Sequence, residues 1–279
     1  MKVKTVSYRS PTAAQEFTDS FRQTGFAVVS DHPIQPQLIQ ESFREWERFF
    51  SSEEKHLHRY DPVKQSGYFP FRTENAKDYS KKDLKEFYHH YPWDQFPKQV
   101  SEFTPQLYRA LLEMSRVLLA WVEQSTPAEV RAGFSMPLTQ MIDESQEILL
   151  RAIHYPPLTG TEEEGAVRAA AHEDINLITL LPAATAAGLQ VKDLNGVWHD
   201  VPCDPGTVVV NSGDMLKAAS GDYYPSTTHR VMNPTGEASR LPRYSMPLFL
   251  HPRREVLLAP GLTAGGYLQQ RLREIGLKA

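Results

Sequence analysis

From Ile148 onward the chain is a succession of short apolar runs divided by turn residues, with no helical stretch between them. The runs EILLRAIHYPP, INLITLLPA, GLQVKDLNGVWHDVP, GTVVVNSGDML, STTHRVMNP and RYSMPLFLHP are rich in β-branched, aromatic or leucine side chains, and Gly, Pro, Asn and Asp separate them. Segments of this kind read as strands. So many in succession argue for an antiparallel sandwich or jelly roll.

The first hundred residues have a different character. TAAQEFTDSFRQTGFAVVSDHPI reads as an amphipathic helix followed by a strand at Phe26–Ser30. PQLIQESFREWERFFSSEEKHL starts after a proline and puts Leu38, Phe43, Trp46, Phe49 and Phe50 near one face. SGYFPFRTENAKDYSKKDLKEFYHHYPWDQFP interleaves aromatics, prolines and charges with no sustained period, and reads as an ordered loop of the kind that lines sites. A strong helix is expected over FTPQLYRALLEMSRVLLAWVEQ, a weaker one from Pro127, and a last one from about Thr263 to Leu277. The division expected is a helical region, residues 1–100, packed on a β core, residues 101–279, as one integrated unit.

With 279 residues, 41% hydrophobic and 23% charged, the chain is the size of one sizeable core. A net charge of −4 gives no basic field for nucleic acid or anionic membranes, so a small molecule is the natural partner. Cys203 is the single cysteine, which rules out an internal disulfide or a thiolate metal cluster and suits a reducing compartment. No run is apolar enough to span a bilayer, and MKVKTVSYRSPTAAQEF lacks the apolar core of a signal peptide. A cytoplasmic monomer is the expectation.

The chemistry sits at the edges of the β runs. In AAHEDINLITLL, His172 and Asp174 are two apart, which on a strand places them on one face, at the mouth of a core strand Ile175–Leu181. His229 opens STTHRVMNP and is far enough along for the chain to return beside them. Two histidines and one carboxylate on an octahedral ion leave three positions open, the arrangement of non-haem Fe(II) oxygenases. In RYSMPLF, Arg243 and Ser245 again share a face and offer a guanidinium fork and a hydroxyl to a carboxylate. An arginine on an apolar strand requires a buried anion.

These motifs, taken in order, resemble the isopenicillin N synthase-like branch of the Fe(II)- and 2-oxoglutarate-dependent dioxygenases. IHYPP is similar to the family's NYYPP, HEDINLITLL to its HTDxGLLTLL, and GLQVKDLNGVWHDVPCDPGTVVVNSGDML to its long GLQV to VVN.GD.L stretch. STTHRVMNP and RYSMPLF match S..HRV.NP and RYSIPFF, and SGYFPF…DLKEFYHHYP resembles the family's N-terminal half. The resemblance implies a mainly β fold: a double-stranded β-helix (jelly roll) core with a helical N-terminal region and a C-terminal helix. It implies Fe(II) held by His172, Asp174 and His229, 2-oxoglutarate as co-substrate with its distal carboxylate on Arg243 and Ser245, and O2 at the remaining position. Tyr155 matches a tyrosine that touches the co-substrate. Ile153 stands where Asn is common in the family, so one polar contact to 2-oxoglutarate is either absent or supplied by Arg151 instead. Glu173 stands where Thr is frequent and is expected to point away from the metal.

The activity so implied is oxidation of a small molecule, by hydroxylation, desaturation or ring closure, with release of succinate and CO2. Asp174 fills the position that a halogenase leaves vacant. For substrate contacts the candidates are Phe71, Arg72, Lys217 and Tyr223, with Phe69 and Tyr224 beside them; Arg72 or Lys217 in the cavity would favour an anionic substrate. Trp46, Trp93 and Trp121 read as core, His89 and His90 as structural, and His199 as solvent-facing. Two alternatives are an oxidase like isopenicillin N synthase, which uses no 2-oxoglutarate, and a catalytically silent sensor of a metabolite.

Overall fold

The computed structural model describes residues 3–75 and 79–274. Its strands are β1 (Thr5–Ser7), β2 (Phe26–Ser30), β3 (Gly67–Phe69), β4 (Glu86–His90), β5 (Leu149–Tyr155), β6 (Ala169–His172) and β7 (Ile178–Pro182). After them come β8 (Leu189–Lys192), β9 (Trp198–Asp200), β10 (Val208–Ser212), β11 (His229–Val231), β12 (Arg243–Ser245) and β13 (Leu248–Leu250). One sheet of nine strands runs β1, β2, β10, β7, β13, β5, β4, β3, with β12 also on β5; a second, of four, runs β6, β11, β8, β9. These are the two sheets of a jelly roll.

The large sheet is apolar on both faces, and strand periodicity sorts its residues. Phe26, Val28, Phe87, Ile153, Tyr155 and Val209 point into the barrel, where they meet Val191 and Val231 of the small sheet. Their neighbours Ala27, Val29, Leu150, Ala152, Val208 and Val210 point outward to the helices. A strand buried on both sides shows as an unbroken apolar run, which is what FAVVS and VVV are.

Three helices cover the outer face: α1 (Ala13–Thr24), α2 (Pro36–Ser51) and α3 (Thr104–Ser125). Trp46, 1% exposed, and Phe49 of α2 pack with Tyr88 of β4, while Leu107, Leu111 and Leu118 of α3 are fully buried. α1 ends at Gly25, whose φ of +68° closes the helix through its N–H on the Phe21 carbonyl. A side chain there would also strike Thr227 Oγ1, two residues before His229.

Several expectations change. The aromatic stretch read as a loop contributes β3 and β4, and β4 pairs with β5 along its length, Glu86 opposite His154 and His89 opposite Arg151. All five residues of β4 are buried, so no polar alternation marks the strand. The region before residue 100 is therefore not only helical: β1 to β4 belong to the large sheet. The helix from Pro127 is a single turn, Ala128–Arg131. The C-terminal helix is Ala264–Glu274, and its expected end, residues 275–277, lies outside the described residues.

One buried carboxylate joins two of the helices. Glu45 of α2, 1% exposed, accepts the backbone N–H groups of Glu102, Phe103 and Thr104 and the Thr104 hydroxyl, at the start of α3. Those N–H groups are the ones a helix leaves without internal partners, and the helix dipole favours the negative charge. Glu45→Ala strands these donors in the interior and is expected to cost roughly 2–4 kcal/mol. Urea unfolding checks this, and an unshifted midpoint would show that the cap carries no stability.

Candidate functional site

The return of the chain brings His229 directly opposite His172 in the β6–β11 pair. Their rings lie 4.4 Å apart between centroids, and each is fixed through Nδ1, on the Ala170 carbonyl at 2.8 Å for His172 and on the Thr227 carbonyl at 3.1 Å for His229. With the proton on Nδ1, each Nε2 presents a lone pair. Asp174 Oδ1 stands 3.9 Å from His172 Nε2 and 3.7 Å from His229 Nε2. The three donor atoms lie within 4.8 Å of one another, a group that could hold a metal ion.

Asp174 does not reach this point as part of a strand. His172 is the last residue of β6 and β7 begins only at Ile178, so the expected strand Ile175–Leu181 is half turn. Asn176 explains the break: its side-chain amide donates to the Ile178 carbonyl and to Thr179 Oγ1, a local bonding that competes with strand pairing. The turn folds against Gly213, where a Cβ would come within 2.3 Å of the Asn176 carbonyl and 2.8 Å of the Asp174 carbonyl. Only glycine admits that approach.

The carboxylate is divided between two tasks. Asp174 Oδ2 accepts Thr179 Oγ1 at 2.5 Å and Asn211 Nδ2 at 2.7 Å, which leaves Oδ1 toward the histidines. Burial pushes the Asp174 pKa up, but His229, His172 and these two hydrogen bonds outweigh it and hold the group ionised, below its ordinary value. Burial, and next the His229 ring, push His172 down to about 4, so it is neutral at physiological pH. An anionic oxygen and two imidazoles are a donor set suited to a divalent transition metal.

Arg243 and Ser245 face into the barrel on β12, 2% and 3% exposed, opposite Tyr155 and Ile153 of β5. Arg243 Nε donates to the Ala186 carbonyl, and its Nη1 is buried with no partner. The guanidinium lies 5.1 Å from the centroid of Tyr155, itself 2% exposed. Such a donor fits the carboxylate of an absent ligand.

A cavity of about 380 Å³ opens beside His172 and Asp174. Arg151 is on its wall, as the period-two face Arg151, Ile153, Tyr155 requires, but its guanidinium is spoken for: Nε donates to His89 Nε2 at 2.7 Å and the Nη groups reach Glu74 at 3.2 and 3.4 Å. Lys85 Nζ, also on the wall, pairs with Glu74 and Asp83, both at 2.8 Å. His251, buried on the same wall, has an Nδ1 without partner, and burial pushes its pKa to about 4. Glu74, Asp83, Lys85, His89, Phe249 and His251 escape sequence reasoning because each is one of many such residues and only the pairing of β5 with both β4 and β13 gathers them.

The substrate candidates are not on that wall. Phe71 is 44% exposed; Arg72 pairs with Glu163 at 3.6 Å; Lys217 rides on the short helix Asp214–Ala219; Tyr223 lies under Arg22, 4.8 Å from its guanidinium. Phe69 and Tyr224 are fully buried in packing. Three residues read otherwise do line the cavity. Trp93, expected in the core, is 44% exposed and stacks on Tyr91 at 5.2 Å; His89 is part of the Arg151 network; Glu173, outside the group of three donors, accepts from Thr228 Oγ1. His90, stacked on Phe96, is structural as expected, and His199 pairs with Asp193 at 2.7 Å.

A family model described as the 2OG-Fe(II) oxygenase superfamily matches residues 146–252, and one described as non-haem dioxygenase in morphine synthesis N-terminal matches residues 5–109. A solved structure of a Shewanella oneidensis protein described as an oxygenase is 47% identical, with a TM-score of 0.90 and 99% of each chain covered. A full-length Neurospora crassa protein solved in complex with alpha-KG is 26% identical, with a TM-score of 0.78, over 96% of this chain and 95% of that one. Isopenicillin N synthase of Streptomyces clavuligerus is 24% identical over 95% of this chain and 90% of its own length.

The wall network has a pH signature. Burial pushes the Glu74 pKa up, but the Arg151 and Lys85 charges outweigh it and hold the carboxyl well below its ordinary value of 4.5. A carboxylate with a depressed folded pKa stabilises fully above the unfolded value, and this stability drains away as pH falls toward the folded one. The melting temperature is expected to drop between about pH 5 and pH 3. Glu74→Gln, less stable at neutral pH by about 3–5 kcal/mol, should decline less over that window. Parallel pH curves for the two proteins, followed by thermal unfolding, would refute the role of Glu74.

Proposed function

The chain belongs to the 2OG-Fe(II) oxygenase superfamily, and from that premise we propose that His172, Asp174 and His229 hold its iron while Arg243 and Ser245 hold the distal carboxylate of 2-oxoglutarate. It is an Fe(II)- and 2-oxoglutarate-dependent dioxygenase acting on a small molecule. The observation that carries the residue assignment is the convergence of three donors, together with a buried, partnerless Arg243 Nη1 on β12.

Bound Fe(II), with 2-oxoglutarate and O2, supplies the oxidising chemistry, in which 2-oxoglutarate is split to succinate and CO2 and the substrate is oxidised. The chain's own part is to position and to exclude. His172 and His229, each fixed through Nδ1, offer Nε2, Asp174 offers Oδ1 and a negative charge, and Thr179 and Asn211 keep that carboxylate from rotating. Phe69, Phe87, Val191 and Val209 make the interior around Tyr155 apolar, so charges there act with little screening. The substrate enters the cavity bounded by Arg151, Phe249 and His251, and Arg151 is held in place by His89 and Glu74. Because Lys85 and Arg151 are already paired with carboxylates, the wall favours an uncharged polar substrate over the anionic one that a free Arg72 or Lys217 would suit.

An oxidase that dispenses with 2-oxoglutarate is the weaker reading, since a similar structure holds alpha-KG. The proposal extends to one integrated structural unit working as a cytoplasmic monomer without nucleic-acid or membrane partners; it is supported by the net charge of −4 and by the continuity of one sheet through both parts. No described helix is long and apolar enough to cross a membrane.

Protein given Fe(II), 2-oxoglutarate and ascorbate under air is expected to form succinate. His172→Ala and His229→Ala should lose most iron binding, and Asp174→Gly should weaken it and abolish product; stoichiometric iron of normal affinity in both histidine variants would sink the assignment. Arg243→Ala should bind iron normally yet lose about 2–5 kcal/mol of co-substrate affinity, at least about thirtyfold in Kd. The charge-transfer absorbance of the Fe(II) complex reads this, and Ser245→Ala should be milder. If Arg243→Ala titrates like the parent, the oxidase reading takes over.

A further inference from the structure

Arg243 is not the only guanidinium buried in the barrel. Arg168, just before β6, is 1% exposed, and its Cζ lies 5.9 Å from the centroid of the same Tyr155 ring that Arg243 approaches to 5.1 Å. Arg168 Nη2 donates to the Leu241 carbonyl, and its Nε, like Arg243 Nη1, is buried without a partner. Among the described residues no carboxylate forms an ion pair with either one. The contrast with the cavity wall is plain, because buried Lys85 and half-buried Arg151 each have a carboxylate. Burial, and next the Arg243 charge, push the Arg168 pKa down to about 10, and both cations stand beside the one Tyr155 ring.

Two like charges in such a place are costly to bury unless an anion joins them. Tyr155 contributes a ring face that favours cations, but a ring offers no negative charge to cancel them. We propose that Arg168 is a second guanidinium of the co-substrate site, and that it and Arg243 together neutralise the distal carboxylate of 2-oxoglutarate. This rests on the assignment of that carboxylate to Arg243. A carboxylate has two oxygens and about four acceptor positions, enough for both guanidiniums. The pair also makes the site selective, since a 2-oxo acid with an uncharged tail would leave both cations uncompensated.

The rival role for Arg168 is structural, because the Leu241 carbonyl it holds lies two residues before Arg243. Changing the ligand as well as the residue separates the two. Wild type, Arg168→Met and Arg168→Lys, loaded with Fe(II) without oxygen, are titrated with 2-oxoglutarate and with 2-oxobutyrate, which has the same chelating end and no distal carboxylate. The charge-transfer absorbance reports binding. The methionine variant is expected to bind 2-oxoglutarate at least about tenfold more weakly and 2-oxobutyrate as the parent does, with lysine recovering part of the loss. Unchanged affinity for both ligands, or equal weakening for both, overturns the proposal. If the methionine variant does not fold, Arg168→Gln, which keeps a donor for the Leu241 carbonyl, carries the same comparison. Arg243→Ala run alongside distinguishes the failures: if it binds 2-oxoglutarate normally the Arg243 assignment falls, and if only the Arg168 variants are normal this inference alone falls.

Discussion

A sheet with two apolar faces must be covered on both, and the form of this molecule follows from that. Outward, Ala27, Val29, Leu150 and Val210 require the helices; inward, Phe26, Phe87, Tyr155 and Val209 require the small sheet. The barrel interior is thus dry before any ligand enters. In such a place polar groups exist only on condition of having partners. The interior polar residues obey this where the protein supplies the partner, as Thr179 and Asn211 do for Asp174. They break it at Arg168 and Arg243.

Much of this is legible in the sequence, and the pattern of success has a physical basis. Strands with strong β-branched runs, such as FAVVS and VVVNS, and long helices such as α3 declare themselves through periodicity. The ordered motifs are specific enough to place His172, Asp174 and His229 together. The geometric reason attached to two of them is mistaken. His172 and Asp174 do not share a strand face; a strand end and a turn stabilised by Asn176 bring them together. Spacing alone does not distinguish these, because both leave the two side chains near one another.

What escapes is the cavity wall. Glu86–His90 holds two histidines, an acid and two aromatics, a composition that says nothing about direction, and every one of them is buried. Only the pairing of His89 with Arg151 shows which face looks into the cavity. The long side chains nominated from sequence, Arg72 and Lys217, stand out for charge, and charge is the property that surfaces share with sites. The wall charges of Glu74, Asp83, Lys85 and Arg151 compensate one another, so they leave no excess that a sequence could advertise.

The register of β6 with β11 carries an evolutionary consequence. Because His229 is locked opposite His172, a one-residue slip or insertion in either strand would turn a donor to the far side of the sheet. The chain can lengthen freely at the Asp193–Gly196 turn, where Leu194 is wholly exposed, and the histidines would not notice. The rims of such a barrel are therefore free to change by insertion and deletion, while the stretches that hold the donors, residues 169–179 and 227–231, can change only by substitution.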